Sequence, residues 1–264
     1  MKKYWHFFKI GFQVSIAYPV SIIFRVLRHA TLVTLFVVLW AALLQNKSEI
    51  GGFNLSSIVT YYMLVEIIDI IYTQTPARIL SRDVQTGDLN NFLTKPINYW
   101  KYLLSYTVGQ QLANSSLSIL AVIGAFILFP NFVSFPKEPL YLFGFFVFSV
   151  CAFLISHQIL FTVGTLIFHV SEIAHIRQGV NQLMGLLGGR WVPLSFFPPA
   201  IAGLLGLMPF SFLFSFPIRV FQQQVSFSQM STALVVEIAW LGLLLFIGKN
   251  TWEMGVKKYE AYGH

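Results

Sequence analysis

From Leu140 to Phe168 the chain carries no Asp, Glu, Lys or Arg. A helix over that stretch, at 1.5 Å per residue, is long enough to cross the roughly 30 Å hydrocarbon core of a bilayer. Lipid offers the backbone no hydrogen-bond partners, so a run of this kind must form a helix. Five further stretches read the same way. They are Pro19–Leu44, Leu55–Thr75, Tyr102–Phe129, the shorter and glycine-rich Ile176–Val192, and Ser231–Gly248. The expected fold is therefore all-α: a polytopic membrane protein with six transmembrane helices in one domain over residues 1–264. Composition excludes the main alternatives. Only 10% of residues are charged and 56% are apolar, with a mean hydropathy of +0.70. A soluble domain carries about 25% charged residues, and disordered chains are poor in hydrophobes.

Three other segments shape the reading. Residues 1–18 set Lys2, Lys3 and Lys9 beside Tyr4, Trp5, Phe7 and Phe8, which suits an amphipathic helix lying at the membrane interface. No apolar core followed by a small-residue cleavage site is visible there, so a signal peptide is not expected. Residues 76–101 form the longest polar stretch. Residues 193–230 are apolar but broken by Pro193, Pro198, Pro199, Pro209 and Pro217. Such a segment cannot be one straight spanning helix, and outer re-entrant helices before the last span fit better.

The basic residues choose the orientation. With a cytoplasmic N-terminus, only Lys47, Lys137, Arg190 and Arg219 of the 17 Lys and Arg residues fall outside. The positive-inside rule then places both termini in the cytoplasm of a multi-pass cell (inner) membrane protein. It also makes 76–101 an inside loop. The net charge of +7 is explained by the inner leaflet, with no need for nucleic acid. The single cysteine, Cys151, allows no intramolecular disulfide.

Several chemistries find no pattern. Gly248-Lys249 is the only Gly-Lys pair and lacks a phosphate-cradling loop, so no ATP site is expected on this chain. There is no His-Glu-x-x-His and no Gly-x-Ser-x-Gly. The spacing of His157, His169 and His175 converges poorly for a metal. No catalytic set and no metal site are expected.

Charges inside spans are costly and therefore informative. Tyr62, Glu66, Asp69 and Thr73 share one face of the second span. The first span carries Arg25 and Arg28. Antiparallel helices entering from the inside and returning to it would pair Arg25 with Asp69 and Arg28 with Glu66. These pairs either hold two helices in register, or line an inward cavity or a proton-coupling site. Glu237 in the sixth span could meet Arg190 or Arg219. Gln110, Gln111, Asn114, Ser115 and Ser116 crowd the inner half of the third span. They either hydrogen-bond between helices or, with Glu237, line a translocation path.

In the 76–101 segment Pro76 can open a short helix. Ile79, Leu80 and Val84 give it an apolar stripe beside Arg78, Arg82 and Asp83. Thr86-Gly87-Asp88 would stop it, and Leu89, Phe92 and Leu93 begin a second turn before Lys95-Pro96. Such a helix lies on lipid or docks in the groove of a soluble partner.

This layout resembles the permease subunits of ABC-2 type ABC transporters over nearly the whole chain. The likeness rests on Arg78-Ile79-Leu80 through Gly87-Asp88-Leu89 and Leu93-Thr94-Lys95-Pro96-Ile97. It rests also on Gly189-Arg190-Trp191-Val192-Pro193-Leu194 with Phe197-Pro198, Met208-Pro209-Phe210 and Pro217. A departure is Gln222-Gln223-Gln224, where a glycine is expected near Phe221. The resemblance implies an exporter built from two permeases, identical or related, bound to two soluble ATP-binding subunits. ATP and Mg would sit on those subunits, and the N-terminal helix and the 76–101 segment would contact them. Arg78, Arg82, Asp83, Asp88 and Lys95 would carry that coupling. The alternative is a stand-alone ion- or proton-coupled carrier using Glu66 and Asp69.

Overall fold

A computed structural model describes residues 2–17, 19–72, 75–128 and 134–261. Among them the chain forms helices and one isolated bridge, Ile50 to Phe53, in the turn that follows the second helix. The helices in order are α1 (Lys2–Ile16), α2 (Pro19–Leu43), α3 (Leu55–Ile71), α4 (Thr75–Gln85), α5 (Asn90–Leu93), α6 (Tyr99–Leu128), α7 (Pro139–Gly164), α8 (Ala174–Gly188), α9 (Pro199–Leu207), α10 (Ser215–Phe221) and α11 (Phe227–Ala261). Among the described residues four stretches are long and apolar enough to cross a membrane: Ile23–Leu43, Leu55–Gln85, Pro139–Phe168 and Phe227–Tyr259.

The second of these is broken. Tyr72 has an extended backbone (φ −68°, ψ 140°) and ends α3, and α4 starts at Thr75. Thr73 lies outside the described residues, as does Phe129 at the end of the third expected span. The fifth expected span also differs. α8 has 15 residues, about 22 Å at 1.5 Å per residue, which is shorter than the hydrocarbon core. It stops at Gly189, whose φ of +88° costs a residue without a side chain nothing. The proline-rich stretch that follows folds into short pieces, α9 and α10, as its prolines require.

α3 is the central helix. Asn54 caps it, its side chain accepting from the Ser57 N–H at 2.8 Å, and every residue from Ile58 to Glu66 is buried. It joins α2, α7 and α10 in the main apolar core through Met63, Leu64, Phe148, Phe214 and Ile218. A second core sits at the end of the molecule where α4 lies. It gathers Ala77, Ile79, Leu80, Tyr99, Leu103, Leu160, Phe161 and Phe168. The apolar stripe expected for α4 is thus consumed inside the chain, against α6, α7 and the turn after it. It is not left over for lipid or a partner.

α1 crosses α6 at close range. A Cβ on Gly11 would lie 2.1 Å from the Tyr106 carbonyl oxygen, and one on Gly109 would lie 2.0 Å from that of Phe8. Only glycine at both positions permits this backbone approach, the device used where helices must pack without bulky side chains. Phe7 meets the edge of Tyr102 at 4.8 Å, Lys3 donates to the Pro96 carbonyl, and the Asn98 N–H donates to Tyr4 at 3.2 Å. The N-terminal amphipathic helix is therefore tied to the α5–α6 connection, while Lys2, Lys3, Trp5 and Lys9 stay exposed.

Candidate functional site

The intramembrane charges do meet, but one step out of the expected register. Arg28 donates to Asp69 Oδ2 at 3.1 Å, and Glu66 is paired with His29 rather than with Arg28. Arg25 forms no ion pair with any described residue. The expected pairing set the two helices level at their ends. α3 begins at Leu55, the start expected for the second span, so the one-turn difference lies in how α2 sits along α3. His29, on the buried side of α2, then fills the place opposite Glu66.

A second arginine completes the group. Arg190, with a side chain 11% exposed, donates to Asp69 Oδ2 at 2.8 Å. It comes from the turn after α8, which α3 grips at two further points. Tyr61 Oη donates to the Gly189 carbonyl at 2.6 Å, and Tyr62 Oη donates to the Trp191 carbonyl at 3.0 Å. The Arg190 guanidinium also lies 4.9 Å from the centre of the Trp191 ring, within cation–π range. The Gly189-Arg190-Trp191 motif is thus a clasp between the end of α8 and the middle of α3. His29, Glu66 and Asp69 offer three ligand atoms within 4.8 Å of one another. They do not fit a metal ion, because two guanidinium groups already occupy the Asp69 carboxylate and would repel a cation.

Beside this group opens a cavity of about 550 Å³. α2 supplies Arg25, Arg28 and His29, α3 supplies Asp69 and Ile70, and α4 supplies Thr75 and Arg78. Gln110, Gln111 and Asn114 of α6, Arg177 of α8 and Val14 of α1 complete most of the wall. The three polar residues of the third span therefore come together here. Each also has a partner. Gln111 Nε2 donates to the carbonyls of Ile70, Ile71 and Tyr72 at 3.2, 3.2 and 2.8 Å. It satisfies backbone groups that the end of α3 leaves without helical partners. Asn114 donates to Gln111 at 3.3 Å, and Thr75 donates to Gln110 at 3.0 Å.

Glu237 does not join them. It is fully buried on α11, and neither carboxylate oxygen has a hydrogen-bond partner among the described residues. The expected pairing with Arg190 or Arg219 is not formed, since Arg190 is taken by Asp69. His157 is likewise buried, with no hydrogen bond at either ring nitrogen among the described residues, and it forms no metal-ligand group with His169 and His175 there.

Of the residues expected to couple to a partner, Asp83 is not on the surface. It is buried, accepts from Tyr99 Oη at 2.8 Å and from Arg82 Nη2 at 2.9 Å, and so holds α4 to the start of α6. Arg78, Arg82, Asp88 and Lys95 are exposed. Between α4 and the start of α8 runs an open groove of about 490 Å³ lined by Arg78, Ser81, Arg82, Gln85, Glu172 and Arg177.

Sequence reasoning missed His29 and the part Arg190 plays. His29 is uncharged in a formal count, yet its place beside Arg28 within an apolar span was a usable signal. Arg190 had been placed at the opposite end of the molecule, because α8 was read as a full crossing.

No curated protein matches the chain at a significant level. The family described as ABC-2 family transporter protein matches residues 30–263. That match spans most of the chain, including Glu66, Asp69, Arg190 and the proline-rich stretch, so the chain belongs to the ABC-2 type transporter family and is a membrane permease.

Proposed function

We propose that the chain is the permease subunit of an ABC exporter, forming the substrate path with a second permease and driven by separate ATP-binding subunits. ATP and Mg belong to those subunits, which dock from the cytoplasm of a cell membrane in which both termini face inward. α8 together with the α9–α10 stretch serves as the fifth crossing and its outer re-entrant region.

The observation that carries this reading is the two-sided character of α4. One side is locked into the second core by Ala77, Ile79 and Leu80. The other presents Arg78, Arg82 and Gln85 to the open groove. A push on the exposed side cannot be absorbed by α4 alone. It passes to α7 through the packed core, and to α6 through the Thr75–Gln110 contact. The carrier alternative loses support because both carboxylates are already engaged, Asp69 by Arg28 and Arg190 and Glu66 by the His29 ring.

Docking is tested by cross-linking. In a Cys151→Ser background, Gln85→Cys is expected to cross-link to an ATP-binding subunit in native membranes. Adding Arg82→Glu is expected to abolish the product. A Gln85→Cys variant that reaches the membrane and gives no such product would contradict the proposed docking face.

A further inference from the structure

We propose that the cavity between α2, α4 and α6 binds the phosphate group of an amphipathic substrate. This rests on the permease reading and names the chemistry of what is moved. Four arginines line the cavity, Arg25, Arg28, Arg78 and Arg177, against one acid, Asp69. That acid is already used, because its Oδ2 accepts from both Arg28 and Arg190. Glu66, one turn from Asp69 on α3, is held by His29. Arg25 and Arg78 also line the cavity, and neither forms an ion pair with a described residue, although Arg78 borders the groove that Glu172 lines as well. Positive charge gathered in a cleft with low-dielectric walls concentrates anions.

The type of cation narrows the ligand. All four are arginine and none is lysine. The planar guanidinium fork matches the oxygens of a phosphate in pairs, where an ammonium acts as a point charge. Gln110 accepts from Thr75 through Oε1, so its amide nitrogen is the atom left to donate.

The same wall accounts for an apolar tail. On α2 the arginines alternate with Phe24 and Leu27, which are 69% and 55% exposed. A head group held by Arg25 leaves its chain free to lie along these side chains. Val14, Ile70 and Tyr72 supply apolar surface within the cavity itself.

The test uses the full chain in a neutral maltoside detergent, with decyl phosphate as the probe and isothermal calorimetry as the readout. Saturable binding is expected, with affinity at least tenfold lower in Arg25→Gln and in Arg78→Gln. Arg25→Lys keeps the charge and loses the fork, and its affinity is expected to fall between wild type and Arg25→Gln. Arg219→Gln, at the other end of the molecule, is expected to bind as wild type. Displacement by inorganic phosphate would mean that the phosphate alone is recognised. Displacement only by phosphatidylglycerol would identify a lipid head group. Binding that does not saturate, or equal affinity in wild type and the Arg78→Gln variant, would overturn the proposal. No nucleotide or ATP-binding subunit is present, so the two readings fail separately. A wrong permease reading leaves phosphate binding intact, and a wrong anion site leaves docking of the ATP-binding subunit intact.

Discussion

The molecule has a second sizeable cavity, at the opposite end of α3, and the two differ in kind. The cavity beside α4 is about 550 Å³ and is walled by four arginines and the amides of α6. The far one is about 390 Å³ and is walled by Phe53, Tyr61, Leu194, Ala202 and Phe216, with Arg219 at its edge. Its surroundings are aromatic, Phe196 stacking on Phe53 and Trp40 at 5.8 and 5.6 Å. Between them α3 is packed solid from Tyr61 to Glu66, and the Gly189-Arg190-Trp191 clasp closes over that stretch. Charge is thus concentrated at one end, and the other offers little to hold it. An anion entering beside α4 would meet cations first and weakly polar surface last. Such a gradient favours capture at one end and release at the other.

Asp69→Ala is the severest way to break this contrast. It leaves Arg190 buried without its acid and frees Arg28, and removing one member of a buried pair costs about 3–5 kcal/mol. Thermal unfolding in detergent should show a large drop, whereas Arg219→Gln at the far cavity should stay within about 0.5 kcal/mol of wild type. Gly109→Val comes next. Its side chain would strike the Phe8 carbonyl and push α1 away from the charged cavity, an overpacking cost of about 1–3 kcal/mol. Loss of a disulfide engineered between Tyr4→Cys and Asn98→Cys would report the separation. Gln111→Leu strips the cap from the α3 carbonyls and is expected to cost about 1–3 kcal/mol, the range for buried groups left unsatisfied. It should also weaken decyl phosphate binding by deforming the cavity wall. The smallest effect has the opposite sign. Gln223, beside the far cavity, has φ +57°, and Gln223→Gly is expected to stabilise by about 1 kcal/mol by relieving the left-handed backbone.

That last position shows what the sequence could and could not tell. A glycine is expected in this neighbourhood, and the structure does bend there into the conformation glycine favours, with Gln223 accepting the strain. Four of the expected spans were legible, because long apolar runs have one outcome in lipid. The helix at 75–85 and its end before Gly87 followed from Pro76 and from apolar spacing. The partners of the charges were not legible. The start of α3 at Leu55 was legible, but the offset of α2 along it is set by packing of both helices, which no local pattern shows. Arg190 was misplaced because a stretch of apolar residues does not reveal that α8 stops short and turns back toward Asp69. Asp83 read as a surface charge because nothing local shows Tyr99 reaching back to it.

The central claim is that energy reaches this permease from another chain, and native purification tests it most directly. The tagged chain would be extracted from its own membrane in gentle detergent, analysed by mass spectrometry and assayed for ATP hydrolysis. A soluble ATP-binding protein in near-equal amount is expected, with ATPase activity that Arg82→Glu removes while the chain stays folded. The Arg82 side chain is 62% exposed and Asp83 keeps its hydrogen bond from Tyr99, so folding should survive the change, which elution as a single sharp peak would check. A chain that emerges alone, without ATPase activity, and whose transport collapses with the proton gradient while ATP is intact, would contradict the claim.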